Sequence, residues 1–133
     1  MSLYSLSEKS LSKLEGVHED LVKVVKAAIL VTDNDFLVLE GLRTVCRQKA
    51  LVDAGASKTM TSRHLTGHAV DLGVLVGGKI SWKPMLYHKL ADVMLGEAAK
   101  LNIPIVWGGS WLTLADLDHW ELSKAFYPSI SVK

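Results

Sequence analysis

The chain has 133 residues, of which 49% are hydrophobic and 22% charged, and its formal net charge is +1. That length fits one domain with a core of its own, and the composition excludes a disordered chain. A charge so near zero gives no bulk reason to expect a nucleic-acid partner, and the longest apolar run, "AAILV", is far too short to span a bilayer.

Ser5 and Glu8 stand at capping-box spacing, and Leu6, Leu11 and Leu14 form a short apolar stripe. Together they predict a first helix that ends or bends at Gly16. Leu21, Val24, Val25 and Ala28 recur at helical spacing and predict a second helix over 18–31. "TDND" reads as a turn and "FLVLEG" as a strand. "TVCRQKALVDAG" is a helix capped by Thr44 with Gly55 near its end, and "ASKTMTS" is a polar loop. "AVDLGVLV" is a strand that turns back at Gly77-Gly78. Pro84 opens a long helix whose buried face is Leu86, Leu90, Val93, Met94 and Ala98. "IPIVWGG" is a strand running into a glycine turn, and "DHWEL" holds the last strand. No repeat, low-complexity tract or linker interrupts this order. Helices with short strands between them predict an α+β fold with a small, largely antiparallel sheet.

A single cysteine, Cys46, leaves no internal disulfide, so synthesis in a reducing compartment is expected. Its place in the "TVCRQ" helix predicts a buried or half-buried thiol. "MSLYSLSEKS" has no basic segment followed by an apolar run, so it does not read as a signal peptide, and folding in the cytoplasm is expected.

"SRHLTGHAVDLG" places His64, His68 and Asp71 within eight residues. Gly67 disfavours a helix there by ~1 kcal/mol relative to alanine, so the i,i+4 pairing of the two histidines is a poor reading. No Glu directly follows His64, as a helical zinc-protease motif requires. On a strand, Asp71 shares a face with Ala69 and Gly73, while Val70 and Leu72 face the core and His68 points away from Asp71. A third ligand must come from elsewhere, and His119 in "DLDHWEL" is the best candidate; His18 and His88 read as surface or boundary residues. Two histidines and an aspartate leave a fourth position for water on zinc, and an Fe(II) facial triad uses the same residue types. On residue type alone, ordinary structural roles for the three stand beside a metal site.

"SRHLTGHAVDL" resembles the Ser-x-His-x-x-x-x-x-x-Asp signature of the zinc D-Ala-D-Ala carboxypeptidase and dipeptidase superfamily. "DLDHWE" resembles its second signature, and "LEGLRTVCRQ" looks like the segment that supplies its active-site arginine. The order along the chain matches, over roughly residues 15–123. The short chain, "GLRT" and "WGGSW" look most like phage endolysins of the L-alanyl-D-glutamate peptidase type, which cut the stem peptide of peptidoglycan. The resemblance implies an α+β fold of the hedgehog/DD-peptidase kind, whose small antiparallel sheet holds one zinc. It also implies one catalytic domain over 1–133 with no separate wall-binding module.

Carried over by position, His64, Asp71 and His119 match the zinc ligands and Asp116 the catalytic acid-base residue. Asp118 is the competitor for Asp116; family spacing favours Asp116, and strand alternation would turn Asp118 away from His119. Arg43 matches the arginine that stabilises the scissile carbonyl or pairs with a substrate carboxylate, two roles that stay open. Ser62 would hydrogen-bond substrate. Glu121 would orient a ligand histidine or bind a substrate nitrogen. Gln48 either touches the site or faces solvent. Trp107 and Trp111 either line the substrate groove or pack in the core. Trp120 should point into the core, Trp82 should pack at the start of the long helix, and His68 is a bystander. The implied partner is the peptidoglycan stem peptide, met by a monomer with no nucleic acid and no stable membrane insertion. Such a lysin waits in the host cytoplasm until the membrane is opened, then acts on the wall in the periplasm. Alternatives are a D-Ala-D-Ala dipeptidase or D,D-carboxypeptidase of the same superfamily, a non-enzymatic zinc- or peptidoglycan-binding domain, and a metal-free structural protein.

Overall fold

The computed structural model describes residues 4–57, 62–111 and 115–128. Its elements are α1 (Glu8–Lys13), α2 (Glu19–Val31), β1 (Phe36–Glu40), α3 (Val45–Asp53), a 3-10 turn (Arg63–Thr66), β2 (Ala69–Val76), β3 (Lys79–Ser81), α4 (Pro84–Leu101), β4 (Ile105–Trp107), a second 3-10 turn (Gly108–Ser110) and β5 (His119–Leu122). The strands form one sheet in the order β1-β2-β5-β4, with β3 folded back on β2, and every pairing is antiparallel. This is the α+β arrangement that the apolar pattern predicts. Residues 58–61 of the "ASKTMTS" loop lie outside the described residues.

The long helices form where apolar spacing and capping agree. His18 caps α2 through Nδ1, which accepts from Asp20 N. Leu21, Val24, Val25 and Ala28 are then wholly buried on one stripe. Pro84 begins α4, and Asn102 ends it in the left-handed region at φ 57°. Its buried face is Tyr87, Leu90, Ala91, Met94 and Ala98, with Leu86 and Val93 only partly covered. Both helices bury against the sheet face made by Phe36, Val38, Val70, Leu72, Val74, Trp120 and Leu122. Tyr87 fastens α4 to the hairpin: its hydroxyl donates to Ser81 O and accepts from Val74 N.

Two expectations need correction. The cap of α1 is Ser7, whose hydroxyl accepts from Ser10 N, so Glu8 is the first helical residue and the Ser5–Glu8 spacing is unused. Cys46 is exposed, because the buried position of α3 is Gln48, two residues further on. Trp82 packs at the start of α4 as expected, stacked on Tyr87 with ring centroids 5.7 Å apart, and remains 57% exposed.

Two features of the sheet bring functional groups together. The β2–β5 register sets Asp71 opposite His119. The β1–β2 register shifts between Val38 and Glu40, so that Glu40 also comes opposite Asp71. An irregularity of this kind re-aims a side chain at a strand end.

Candidate active site

His64 is delivered by the 3-10 turn, not by a strand. Ser62 caps that turn, its hydroxyl accepting from His64 N at 3.2 Å, and Gly67 ends it at φ +76°. The Gly67 carbonyl accepts from His18 N at 2.8 Å. A Cβ at Gly67 would run into the backbone oxygen of Gly16, which cannot swing aside. Gly67→Ala is therefore expected to cost about 2 kcal/mol or more, from the left-handed conformation plus that collision. A thermal melt should show Tm lower by about 8 °C; an unchanged Tm would mean that the turn is not needed to set His64.

His64 Nε2 lies 3.3 Å from Asp71 Oδ2, and His119 Nδ1 lies 3.3 Å from Asp71 Oδ1. The three side chains offer ligand atoms within 4.8 Å of one another. The outer nitrogen of each ring is already held. His64 Nδ1 is 2.9 Å from Gly41 O, and His119 Nε2 is 3.0 Å from Glu121 Oε1. A carbonyl and a carboxylate only accept, so those nitrogens donate. In the neutral rings, that turns the lone pairs of His64 Nε2 and His119 Nδ1 towards Asp71. Asp71 Oδ1 is buried and takes no hydrogen bond. A carboxylate with one orphaned oxygen, flanked by two imidazole lone pairs, is a donor set suited to a transition-metal ion such as zinc.

The electrostatics agree. Burial works against ionisation of Asp71, but the interactions with His119 and His64 outweigh it and hold the carboxyl well below the usual range. Burial likewise works against a charged His119, yet Asp71 and Glu121 outweigh it and carry the imidazole up to about 9. The centre favours positive charge, whether a proton or a metal ion supplies it.

Arg43 follows β1, and its backbone N donates to His64 O at 2.9 Å. Nε and Nη2 donate to the two oxygens of Glu40 at 2.8 and 2.7 Å, and Nη1 donates to Gln48 Oε1 at 2.7 Å. Nη2 stands 3.9 Å from Asp71 Oδ2, and Nη1 stands 3.5 Å from Ser62 Oγ. The hydrogen bonds from Arg43 hold Glu40 below the usual carboxylate range despite its burial. Gln48 is wholly buried behind Arg43, and its amide also donates to Ser57 Oγ. It touches the site through the guanidinium, as one of its two expected roles had it, but it does not face solvent and does not line the cleft where substrate would bind.

Asp116 and Asp118 both line the cleft with His64, Asp71 and His119. Their carboxylates and that of Asp71 lie within 4.8 Å of one another. Asp116 N donates to Gly108 O, and His119 N donates to Asp116 O, so the segment crosses tightly over Gly108. A Cβ at Gly108 would strike the Asp116 carbonyl. Asp118 does not turn away from the site as strand alternation predicts, because residues 117–118 form a turn and β5 begins only at His119. Burial, a hydrogen bond with Asp116 and the charges of Asp71 and Asp116 push the Asp118 carboxyl well above the usual range.

The tryptophans separate. Trp107 is 8% exposed, lies 5.9 Å from Trp120 in a stacked pair, and donates from Nε1 to Leu117 O. Of its two expected roles it takes the core one and does not line the substrate groove. Trp111 is 37% exposed, lines the cleft, and tilts 5.2 Å from the His119 ring. Trp120 is wholly buried, as expected. His68 pairs Nδ1 with Thr66 Oγ1 at 2.7 Å and packs beside His18, away from Asp71.

Glu121 is buried between His119 and Arg63, whose Nε lies 3.6 Å away. Its contacts with His119, first among its attractive partners, hold it below the usual range against burial. Arg63 also donates to the carbonyls of Leu122 and Tyr127 at 2.8 and 2.9 Å. Glu121→Gln removes the charge that orients His119 and is expected to weaken metal binding by about 10- to 100-fold, as outer-shell changes do. Competition with a chelating dye would read it, and an unchanged affinity would leave Glu121 without that role.

Sequence reasoning passed over Glu40, Arg63 and Gly108. Glu40 had a signal, an acid three residues before Arg43 in "LEGLR". Arg63 acts through hydrogen bonds to carbonyls 59 and 64 residues away and Gly108 through a backbone crossing, which no local pattern displays.

A model of the phage L-alanyl-D-glutamate peptidase family matches residues 1–130. The L-alanyl-D-glutamate peptidase of Escherichia phage T5 is 27% identical over 128 residues, 93% of each chain. That of Listeria phage A118 is 32% identical over 93 residues, which is 70% of this chain and 32% of the relative. The crystal structure of the Serratia marcescens L-Ala D-Glu endopeptidase ChiX superposes with a TM-score of 0.88 at 40% identity, covering 94% of this chain and 95% of that one.

Proposed function

The chain belongs to the phage L-alanyl-D-glutamate peptidase family, and on that premise we propose that it hydrolyses the L-alanyl–D-glutamate bond of peptidoglycan stem peptides with zinc held by His64, Asp71 and His119. The observation that carries the metal reading is Asp71 Oδ1, buried without a hydrogen bond between two histidines whose outer nitrogens are already held. The proposal includes one catalytic domain over 1–133, acting as a monomer. It waits in the host cytoplasm and reaches the wall once the membrane is opened. No described helix is long and apolar enough to cross a membrane.

Zinc, when bound, supplies Lewis-acid polarisation and an activated water. The chain's own groups do the rest. Asp116 takes the proton as water attacks the amide carbonyl and passes it to the leaving nitrogen, both within reach of one carboxylate. Arg43, fixed by Glu40 and Gln48, donates to the carbonyl oxygen as negative charge builds there. Ser62 and Trp111 border the space that the peptide must enter. Glu121 keeps His119 in one orientation and is not free to bind substrate.

Incubation with purified stem peptides tests the bond assigned. Fragments divided between L-alanine and D-glutamate, identified by mass, are the expected products. Release of terminal D-alanine alone would instead place the chain with the D,D-carboxypeptidases.

A further inference from the structure

Glutamate carries two carboxyl groups, and at most one of them continues a peptide chain. A substrate cut between L-alanine and D-glutamate therefore brings a carboxylate to within a few bonds of the scissile nitrogen. The cleft is a poor place for that charge at first sight, since Glu40, Asp71, Asp116, Asp118 and Glu121 all line it. Its cations are Arg43, Arg63 and Lys124 among the described residues. Arg43 has Nε and Nη2 on Glu40 and Nη1 on Gln48, so its charge is balanced before substrate arrives. Arg63 is buried, donates to two backbone carbonyls, and faces Glu121. Lys124 is exposed at the cleft and makes no hydrogen bond or ion pair among the described residues.

The backbone beneath Lys124 is fixed. Ser123 N donates to Pro104 O at 3.0 Å, and Phe126 N and Tyr127 N donate back to Ser123 O at 3.2 and 2.8 Å. Arg63 closes the far side of this turn through the Tyr127 carbonyl. A long side chain on a fixed base, with three rotatable donors, suits a carboxylate that arrives on a flexible substrate.

We propose that Lys124 anchors the free carboxylate of the substrate's D-glutamyl residue, making it a specificity-determining residue of the cleft. The proposal rests on the L-alanyl-D-glutamate reading above. It assigns substrate charge to Lys124 and leaves Arg43 to the scissile carbonyl.

Two stem peptides test it, one with the D-glutamyl carboxylate free and one with that group amidated, each assayed with the wild-type chain, Lys124→Met and Lys124→Arg. The wild-type KM should be about tenfold lower for the free acid, the size of one charge-assisted hydrogen bond. Lys124→Met should raise KM about tenfold on the free acid while moving it less than about twofold on the amide, with the loss in KM and not kcat. Lys124→Arg should restore most of the difference. If Lys124→Met raises KM equally on both peptides, or on neither, the anchor is wrong while the reading of the bond stands. If the wild-type chain cuts neither peptide, both are wrong.

Discussion

Stripping the metal is expected to abolish wall hydrolysis and leave the fold standing, whereas His119→Ala is expected to remove activity and weaken the fold together. The two differ because of Asp71. In the metal-free chain a protonated His119 can still stand against the Asp71 carboxylate, which together with Glu121 carries the imidazole up to about 9. Chelation should therefore cost only the free energy of metal binding, read as a Tm shift that rises with metal concentration. His119→Ala removes one of the two partners of a half-buried carboxylate, a change worth about 3–5 kcal/mol when a buried pair is broken. It also takes from Glu121 its hydrogen-bonded partner and leaves Arg63 as its remaining ion-pair partner among the described residues. Turnover should fall by at least about 10³-fold in either case, since both the activated water and the charge stabilisation go. Metal content, a thermal melt and release of stem-peptide fragments are the measurements. Wall hydrolysis that persists in fully chelated protein would end the metallopeptidase assignment.

How much of this was visible in the sequence depends on which interaction decided each feature. The period-2 run "AVDLGVLV" fixes which side of β2 carries Asp71, because burying Val70 and Leu72 leaves one other face. The long helices were legible for the same reason, with one apolar stripe each. Pairing was not legible. Nothing local sets Asp71 opposite His119, or moves Glu40 into line with both; those follow from sheet register and a break in it. "WGGSW" presents two tryptophans symmetrically, yet Trp107 ends a strand and meets Trp120, while Trp111 follows the 3-10 turn into the cleft. Asp118 was misread because alternation was extended one turn too far. Gln48 reaches the site through Arg43, because its helix runs behind that residue, a tertiary fact. The residue types of the candidate site were therefore visible in the sequence, and strand parity placed Asp71, whereas the groups that aim these side chains came from long-range packing.

Asp116→Asn is expected to lower kcat by about 10²–10⁴-fold, the range for loss of a positioned general base, with metal content and Tm near the wild type. Asp118→Asn is expected to cost less than about tenfold. The neighbouring carboxylates are not equivalent. Asp116 is exposed at the cleft and tied by its own backbone to Gly108 and to His119. Asp118 is half-buried, and burial and its neighbours keep a proton on it, hydrogen-bonded to Asp116. An asparagine at 118 imitates that protonated acid in shape and can still donate to Asp116. An asparagine at 116 cannot accept a proton at all, so neither the attacking water nor the leaving nitrogen is served. Gly108→Ala should resemble Asp116→Asn in kcat, since a Cβ there displaces the Asp116 backbone from its crossing, but it should also lower Tm, which Asp116→Asn should not. The reverse pattern, with Asp118→Asn inactive and Asp116→Asn near the wild type, would transfer the base to Asp118 and make Asp116 its electrostatic neighbour.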